Sequence, residues 1–159
     1  MDFRTGLGWD SHRTRTGRDL ILGGITVTAE FGLLGHSDAD ILLHAVTDAI
    51  LGAAALGDIG MIFPDNDPQW KNAASDQFVR KALELAREKG YALVNVDTTV
   101  ILEKPKLKDY RLPIRENLAR LLELPLDAVS VKFKTSEKVG PVGTGLSAEA
   151  QAIVLLQRS

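Results

Sequence analysis

The chain has 159 residues, of which 45% are hydrophobic and 25% charged, as is typical of one water-soluble globular domain. Nineteen basic and twenty-one acidic side chains give a formal net charge of −2, so the composition offers no basic footprint for nucleic acid or an anionic membrane. No cysteine occurs, which excludes disulfides and thiolate metal ligands.

No apolar segment approaches the roughly 20 residues that a membrane helix needs. The N-terminus leads directly into a strand-like segment, and no apolar signal-peptide core precedes it. Neither a linker nor an internal repeat interrupts the chain. We therefore expect a single cytoplasmic domain over residues 1–159, with neither nucleic acid nor membrane as a partner.

The residue pattern in the first third of the chain predicts three short strands. Phe3–Gly8 predicts a strand that leads into a polar loop at Trp9–His12. Leu20–Leu22 and Ile25–Val27 are short apolar runs separated by two glycines, a pattern that predicts a hairpin.

A helix with a clear start follows this hairpin. Ser37 is the expected N-cap, because Asp40 three residues later completes a capping-box pattern. Apolar residues then recur at helical spacing from Ile41 to Ala53, and Gly57 is the expected stop.

The rest of the chain alternates helical and strand patterns. Two segments carry an apolar stripe at helical spacing, and three are rich in β-branched or alternating apolar residues. The sequence accordingly predicts helices at Asp76–Lys89, with Ser75 as cap, and Pro113–Leu122, and strands at Val94–Leu102, Val129–Lys134 and Ala148–Leu156.

Strands at both ends with helices between them indicate the α+β class. We expect a four-stranded mixed β-sheet with an added N-terminal hairpin, and helices covering one face of the sheet. The other face then needs cover from solvent or from another subunit.

The chain contains only three histidines, all in its first third. Asp10 and His12 are two residues apart and point to the same side of an extended strand end, while His44 lies in the second turn of the capped helix. One carboxylate and two imidazoles suit a zinc ion with its fourth position open to substrate. Ordinary hydrogen-bonded polar residues near loops explain the same pattern, and spacing alone leaves both interpretations open. Asp48, one turn beyond His44, is a candidate acceptor for the second imidazole N–H.

Longer motifs are more specific than this spacing. Together with Asp10–His12, four segments closely resemble the 2-C-methyl-D-erythritol 2,4-cyclodiphosphate synthase family of the non-mevalonate isoprenoid pathway. These segments are His36–Ala49, Gly57–Pro68, Lys104–Leu107 and Lys134–Gly140.

The resemblance implies a homotrimer with an active site between each pair of neighbouring subunits, so that the uncovered sheet face packs inside the trimer. It implies Asp10, His12 and His44 as zinc ligands, and His36 and Thr135 as catalytic residues that hold the phosphates and stabilise the transition state. Glu137 is implied as a ligand of a second divalent ion, Mg²⁺ or Mn²⁺, that bridges the two phosphates.

The implied substrate is a small CDP-linked sugar alcohol bound by three parts of the chain. The first comprises Asp10, Ser11, His12, His36 and Ser37. The second comprises Asp58, Ile59, Gly60, Phe63, Pro64, Asp65, Asn66 and Asp67. The third receives the nucleotide, largely from the adjacent subunit, and comprises Leu102, Glu103, Lys104, Pro105, Lys106, Leu107, Lys108, Lys134, Thr135, Ser136 and Glu137.

The implied reaction is a cyclisation that releases CMP. The substrate's own 2-phosphate oxygen attacks the nearer diphosphate phosphorus, and since this nucleophile is already ionised at neutral pH, no general base is needed. A zinc phosphohydrolase and a non-catalytic trimeric module for nucleotides or isoprenoids are the alternatives. One departure concerns the trimer axis, where many members have an aromatic residue and an arginine but this chain has Pro141 and Thr144. We therefore expect weak binding of prenyl diphosphates there.

Overall fold

A computed structural model describes residues 1–158 of the chain, and Ser159, the last residue of the predicted domain, lies outside them. The strands are β1 (Asp2–Thr16), β2 (Leu20–Leu22), β3 (Ile25–Val27), β4 (Phe31–Leu33), β5 (Ala92–Ile101), β6 (Val129–Lys134) and β7 (Ser147–Arg158). The helices are α1 (Ile41–Ala53), α2 (Ile59–Ile62), α3 (Asp76–Glu88), α4 (Arg111–Leu122) and α5 (Gly140–Gly143). Short 3₁₀ turns lie at Pro68–Trp70, Lys108–Tyr110 and Leu126–Ala128.

The α+β class is confirmed, but the main sheet has five strands and the predicted count of four is wrong. Its strand order is β4-β1-β7-β5-β6, with β5 and β6 parallel and the other neighbours antiparallel. The extra strand, β4, pairs with Thr14–Thr16 at the far end of β1. The predicted hairpin is confirmed as a separate two-stranded sheet of β2 and β3.

β1 runs well past its predicted end at Gly8. The segment Trp9–His12, predicted as a loop, pairs in register with Ala148–Gln151 of β7. Polar side chains therefore occupy a strand end here, and the backbone ladder holds them there. The C-terminal segment Ala148–Leu156, predicted as a strand, is confirmed as part of β7.

The helix layer packs on one face of the sheet, and α1 is its central member. α1 contacts β1 and β7 beneath it and α3 beside it, and almost every residue of α1 is buried. The other sheet face exposes large apolar side chains, among them Leu7 and Ile153, a point that bears on assembly below. Among residues 1–158, none of the helices combines the length and apolar character needed to cross a bilayer.

The closeness of α1 to β1 depends on two glycines. A Cβ atom built on Gly6 would lie 1.9 Å from the carbonyl oxygen of Ala49, and one on Gly8 would lie 1.8 Å from that of Ala45. Any larger residue at either position therefore has to displace the helix backbone. The strand and helix touch through their main chains, and this contact brings His44 over the end of β1.

The helix start lies three residues later than predicted, since Asp40 and not Ser37 is the N-cap of α1. The Asp40 carboxylate accepts the N–H of Leu43 and also the N–H groups of Gly23 and Gly24 in the hairpin turn. Burial raises the pKa of Asp40 to about 6. One buried carboxyl thus caps α1 and fastens the hairpin to it.

We expect Gly8→Ala to destabilise the protein by at least about 1–3 kcal/mol, because the new methyl group overpacks the contact between β1 and α1. Gly52→Ala is the matched control, since Gly52 is an exposed residue of α1 and a Cβ there meets no atom within 4 Å. The control should stabilise by about 0.5–1 kcal/mol through helix propensity. Urea unfolding at fixed protein concentration measures both, and equal effects would contradict the close-contact argument.

Candidate functional site

The three predicted metal ligands converge at the junction of β1 and α1. Nε2 of His12 lies 3.0 Å and Nδ1 of His44 lies 2.9 Å from the same carboxylate oxygen of Asp10. One ligand atom from each of the three residues lies within 4.8 Å of the other two. The side chains are partly or fully buried, so the structure brings together one oxygen and two imidazole nitrogens in a potential metal site.

The hydrogen bonding of His12 favours a cation at this point. Its Nδ1 bonds to the carbonyl oxygen of Leu34, which can only accept, so Nδ1 carries the proton and Nε2 of the neutral ring turns a lone pair to Asp10. Two acceptors at this distance need a proton or a metal ion between them. The residues present therefore fit a bound divalent ion.

The charges in this cluster are strongly coupled. Burial alone would raise the pKa of Asp10, but the hydrogen bonds and positive charge that His12 and His44 supply when they are protonated hold it well below its usual value. Burial alone would lower the pKa of His12, but the bond to Asp10 raises it overall. The carboxylate is thus ionised across the neutral range, as a metal ligand must be.

Asp48 does not accept the second imidazole N–H of His44, contrary to the sequence hypothesis. Its Oδ1 accepts the backbone N–H of Ile59 at 2.7 Å, and burial raises the pKa of its carboxyl. Nε2 of His44 instead faces two hydroxyl oxygens, 3.1 Å from Ser37 and 2.9 Å from Ser75. The sequence predicts Ser75 only as a helix cap, because nothing local indicates a contact between residues 31 positions apart.

The cluster opens into a cavity of about 500 Å³. Many predicted site residues line it: Asp10, His12, His36, Ser37, His44, Ile59, Gly60, Phe63, Pro64, Asp65 and Asn66. His36 is further held by a bond from its ring to the carbonyl oxygen of Asp67, at 3.2 Å. Asp58 caps α2 through the N–H of Met61, at the start of the segment that forms one wall.

Sequence analysis does not indicate three residues that line this cavity, namely Gly35, Trp70 and Phe78, and it gives Asp48, which also lines it, a different role. Phe78 belongs to the apolar stripe of α3, which predicts core packing. Its ring packs at a tilt against the rings of Phe63 and His44, with centroid distances of 4.6 Å and 5.9 Å. The apolar wall is therefore continuous with the core.

The predicted nucleotide segment forms a second, smaller cavity of about 200 Å³. It is lined by Leu102, Pro105, Lys106, Leu107, Lys108, Lys134 and Thr135, together with Arg111 and Phe133, which the sequence did not indicate. Glu103 accepts the backbone N–H of Ser136 at 3.1 Å and so ties its two loops together. Lys104 lines a neighbouring cavity with Glu103.

The predicted site residues thus fall into two groups that share no lining residue within one described chain. Thr135 and Glu137 belong to the second group and bond to each other, with 2.9 Å between the hydroxyl and the carboxylate. Ser11 donates its backbone N–H to Asp10 at 2.9 Å. One chain brings together the metal ligands and His36 but leaves Thr135 and Glu137 apart from them.

Comparisons with known proteins all identify one family. The model of the YgbB family matches residues 3–157. A 2-C-methyl-D-erythritol 2,4-cyclodiphosphate synthase of Solibacter usitatus is 69% identical over 157 residues, which are 99% of each chain. The solved CDP complex of IspF from Plasmodium falciparum has a TM-score of 0.87 at 36% identity, covering 99% of this chain and 97% of that one. The bifunctional IspDF of Campylobacter jejuni has a TM-score of 0.95 at 40% identity, and the match covers 99% of this chain but 43% of that one.

We expect His12→Ala and His44→Ala to weaken zinc binding by more than the roughly 10–100-fold that loss of an outer-shell partner costs, because each removes a ligand atom. His36→Ala is the matched control, since it removes an imidazole from the same cavity but not from the three-residue cluster. Competition with a chromogenic chelator measures the affinity of each purified protein. Equal losses in all three variants would contradict the assignment of ligands.

Proposed function

The chain belongs to the YgbB family, as do the 2-C-methyl-D-erythritol 2,4-cyclodiphosphate synthases, and we propose on that premise that it catalyses their reaction. In this proposal it converts 4-diphosphocytidyl-2-C-methyl-D-erythritol 2-phosphate to 2-C-methyl-D-erythritol 2,4-cyclodiphosphate and CMP, a step in isoprenoid precursor synthesis. The observation that carries the proposal is the convergence of Asp10, His12 and His44 beside a cavity, in a chain that matches such a synthase over its full length.

Zinc is the proposed metal, because two imidazoles and one carboxylate form the ligand set of open zinc sites. Bound there, zinc supplies a Lewis acid that polarises a phosphoryl oxygen. Asp10 and the two imidazoles would hold the ion in the wall of the cavity. His36, whose ring lies 3.2 Å from the carbonyl oxygen of Asp67, lines the same cavity and is the proposed ligand of a phosphate. Glu137 is the proposed ligand of a second ion, Mg²⁺ or Mn²⁺, which the diphosphate itself would bring.

The proposed reaction forms one phosphorus–oxygen bond and breaks another. The 2-phosphate oxygen attacks the phosphorus attached to the sugar alcohol, the bond to the bridging oxygen breaks, and CMP leaves with that oxygen. Holding both groups in one cavity supplies about 7–11 kcal/mol of the barrier reduction for such an intramolecular attack. The residues then act by position and charge, with Thr135 as the proposed donor to the transition-state oxygens.

A homotrimer is proposed because one chain keeps Thr135 and Glu137 apart from the metal ligands. A neighbouring subunit that presents its second cavity to the first cavity of this one would complete the site. The remaining sheet face supports this assembly, since its large apolar side chains are half exposed or more: Leu7 67%, Trp9 53%, Phe3 52% and Ile153 51%. Leu7 and Ile153 lie directly opposite each other on neighbouring strands, and monomeric proteins seldom expose large apolar patches.

The two alternatives have less support. A zinc phosphohydrolase would use the same three ligands, but it gives no role to the lysine-lined second cavity. A non-catalytic binding module gives no reason for an ion-binding cluster in the wall of a substrate-sized cavity. The cytoplasmic location stays a prediction from composition.

Incubation with the CDP-linked substrate and Mg²⁺ should release CMP and the cyclic diphosphate in equal amounts. Removal of zinc by a chelator should stop the release, and added zinc should restore it, because the Lewis acid is lost and regained. Phosphorus NMR of the products measures the outcome, with Asp76→Asn, a change at an exposed carboxylate on α3, as a folded control. Inorganic phosphate as product would favour the phosphohydrolase, and no product at all would favour the binding module.

We expect Ile153→Lys to convert a trimer to monomers, because Ile153 lies in register with Leu7 at the centre of the uncovered sheet face. A lysine there places a charge inside the proposed interface. Leu112→Lys is the matched control, since Leu112 is 52% exposed but lies on α4 in the helix layer. Sedimentation velocity measures the mass of each variant. A wild-type monomer, or a trimer that survives Ile153→Lys, would contradict the proposed assembly.

A further inference from the structure

We propose that Asp38 and Ser75 are positioning residues that fix the tautomer of the His44 imidazole, an inference that rests on the proposed zinc site. Neither residue belongs to the three-residue ligand cluster. Asp38 lies in the loop before α1, and Ser75 immediately precedes α3. Together they connect the two helix starts to the back of the metal site.

The Asp38 carboxylate accepts three hydrogen bonds. One oxygen accepts the backbone N–H of Ser75 at 3.0 Å. The other accepts the hydroxyl of Ser75 and the backbone N–H of Asp40, the latter at 3.1 Å. Ser75 is fully buried, so its hydroxyl has no water to turn to. The single hydroxyl proton of Ser75 is therefore directed to Asp38.

This direction determines which nitrogen of His44 is protonated. Since Ser75 gives its proton to Asp38, its oxygen turns a lone pair to Nε2 of His44, 2.9 Å away. Nε2 must then carry the imidazole proton, and Nδ1 of the neutral ring keeps its lone pair. That lone pair faces Asp10 at 2.9 Å, where the ion would bind.

Ser37 alone cannot make this choice. Its hydroxyl lies 3.1 Å from the same Nε2 and accepts the backbone N–H of Ala39 at 3.2 Å. A hydroxyl can still donate its own proton or accept another, so it suits either tautomer of His44. The Asp38 carboxylate can only accept hydrogen bonds, so it fixes the direction of the Ser75 proton and thereby the tautomer of His44.

The tautomer matters because a metal binds only an unprotonated imidazole nitrogen. In the opposite tautomer, an N–H of His44 would point at the zinc position. Partners of this kind raise metal affinity about 10–100-fold in zinc proteins. Asp38 also donates its backbone N–H to Ala73 at 3.0 Å, which holds the two loops in register.

The hydrogen bonds that run from Asp38 through the Ser75 hydroxyl to Nε2 of His44 form what we call the relay. Two variants test it by different means. Asp38→Asn keeps the shape but places an amide donor among donors, so the Ser75 hydroxyl is freed to turn to His44. Ser75→Ala removes the hydroxyl altogether. The matched controls are Asp76→Asn, at an exposed carboxylate next to Ser75, and Thr47→Val, which removes a buried hydroxyl that donates only to the carbonyl of Leu43.

The first measurement is zinc affinity by chelator competition. We expect both test variants to bind zinc roughly 10–100-fold more weakly than wild type and both controls to match wild type. The second is proton NMR of the zinc-loaded protein. The buried Nε2 proton of His44 should give a slowly exchanging downfield resonance in wild type, and this resonance should disappear in Ser75→Ala.

The outcomes separate this inference from the proposed function. Wild-type zinc affinity in both test variants, or a rapidly exchanging imidazole proton in wild type, would overturn the relay even if CMP release is normal. Lower activity with unchanged zinc affinity would also overturn it. A wild-type protein that binds no zinc would overturn the proposed metal site, and the relay with it.

Discussion

The backbone contact between α1 and β1 is the constraint on which the rest of the molecule depends. Gly6 and Gly8 let the helix lie against the strand with no side chain between them, and small buried residues of β7 extend the same floor at Ala148, Ala150 and Ala152. Asp10 and His12 continue the glycine face of β1 by simple alternation. A wider spacing would separate them from His44, so the packing that stabilises the core also sets the ligand distances.

The sequence predicted those features that are local and periodic. The three ligands, the long helices and β7 follow from alternation, helical spacing and ligand chemistry, with the family resemblance adding the remaining site residues. β4 is only Phe31–Leu33, too short for a periodic signal, and it exists because the end of β1 needs a pairing partner. The N-cap shifted from Ser37 to Asp40 because two hairpin N–H groups recruit the same carboxylate, a tertiary effect that a capping pattern does not contain.

Long-range contacts account for what the sequence could not show in the site. Asp48 lies one helical turn from His44, a spacing at which side chains on one helix face can contact each other. Its carboxylate instead accepts the backbone N–H of Ile59 at the start of α2. Ser75, which has no sequence relation to His44, takes the position instead. A helix cap normally uses its side chain to accept a backbone N–H of the first turn. The side chain of Ser75 makes no such bond and instead contacts His44 and Asp38.

The two faces of the main sheet carry different kinds of side chain. The face under α1 buries small residues and ends in the proposed metal ligands, while the opposite face exposes the large apolar side chains of Leu7, Trp9 and Ile153. Alternation along β1 makes these two sets neighbours in sequence, so Trp9 directly precedes Asp10. If the proposed trimer buries Trp9, it also holds the strand end that carries the proposed ligands, and subunit packing would then be coupled to the geometry of the metal site.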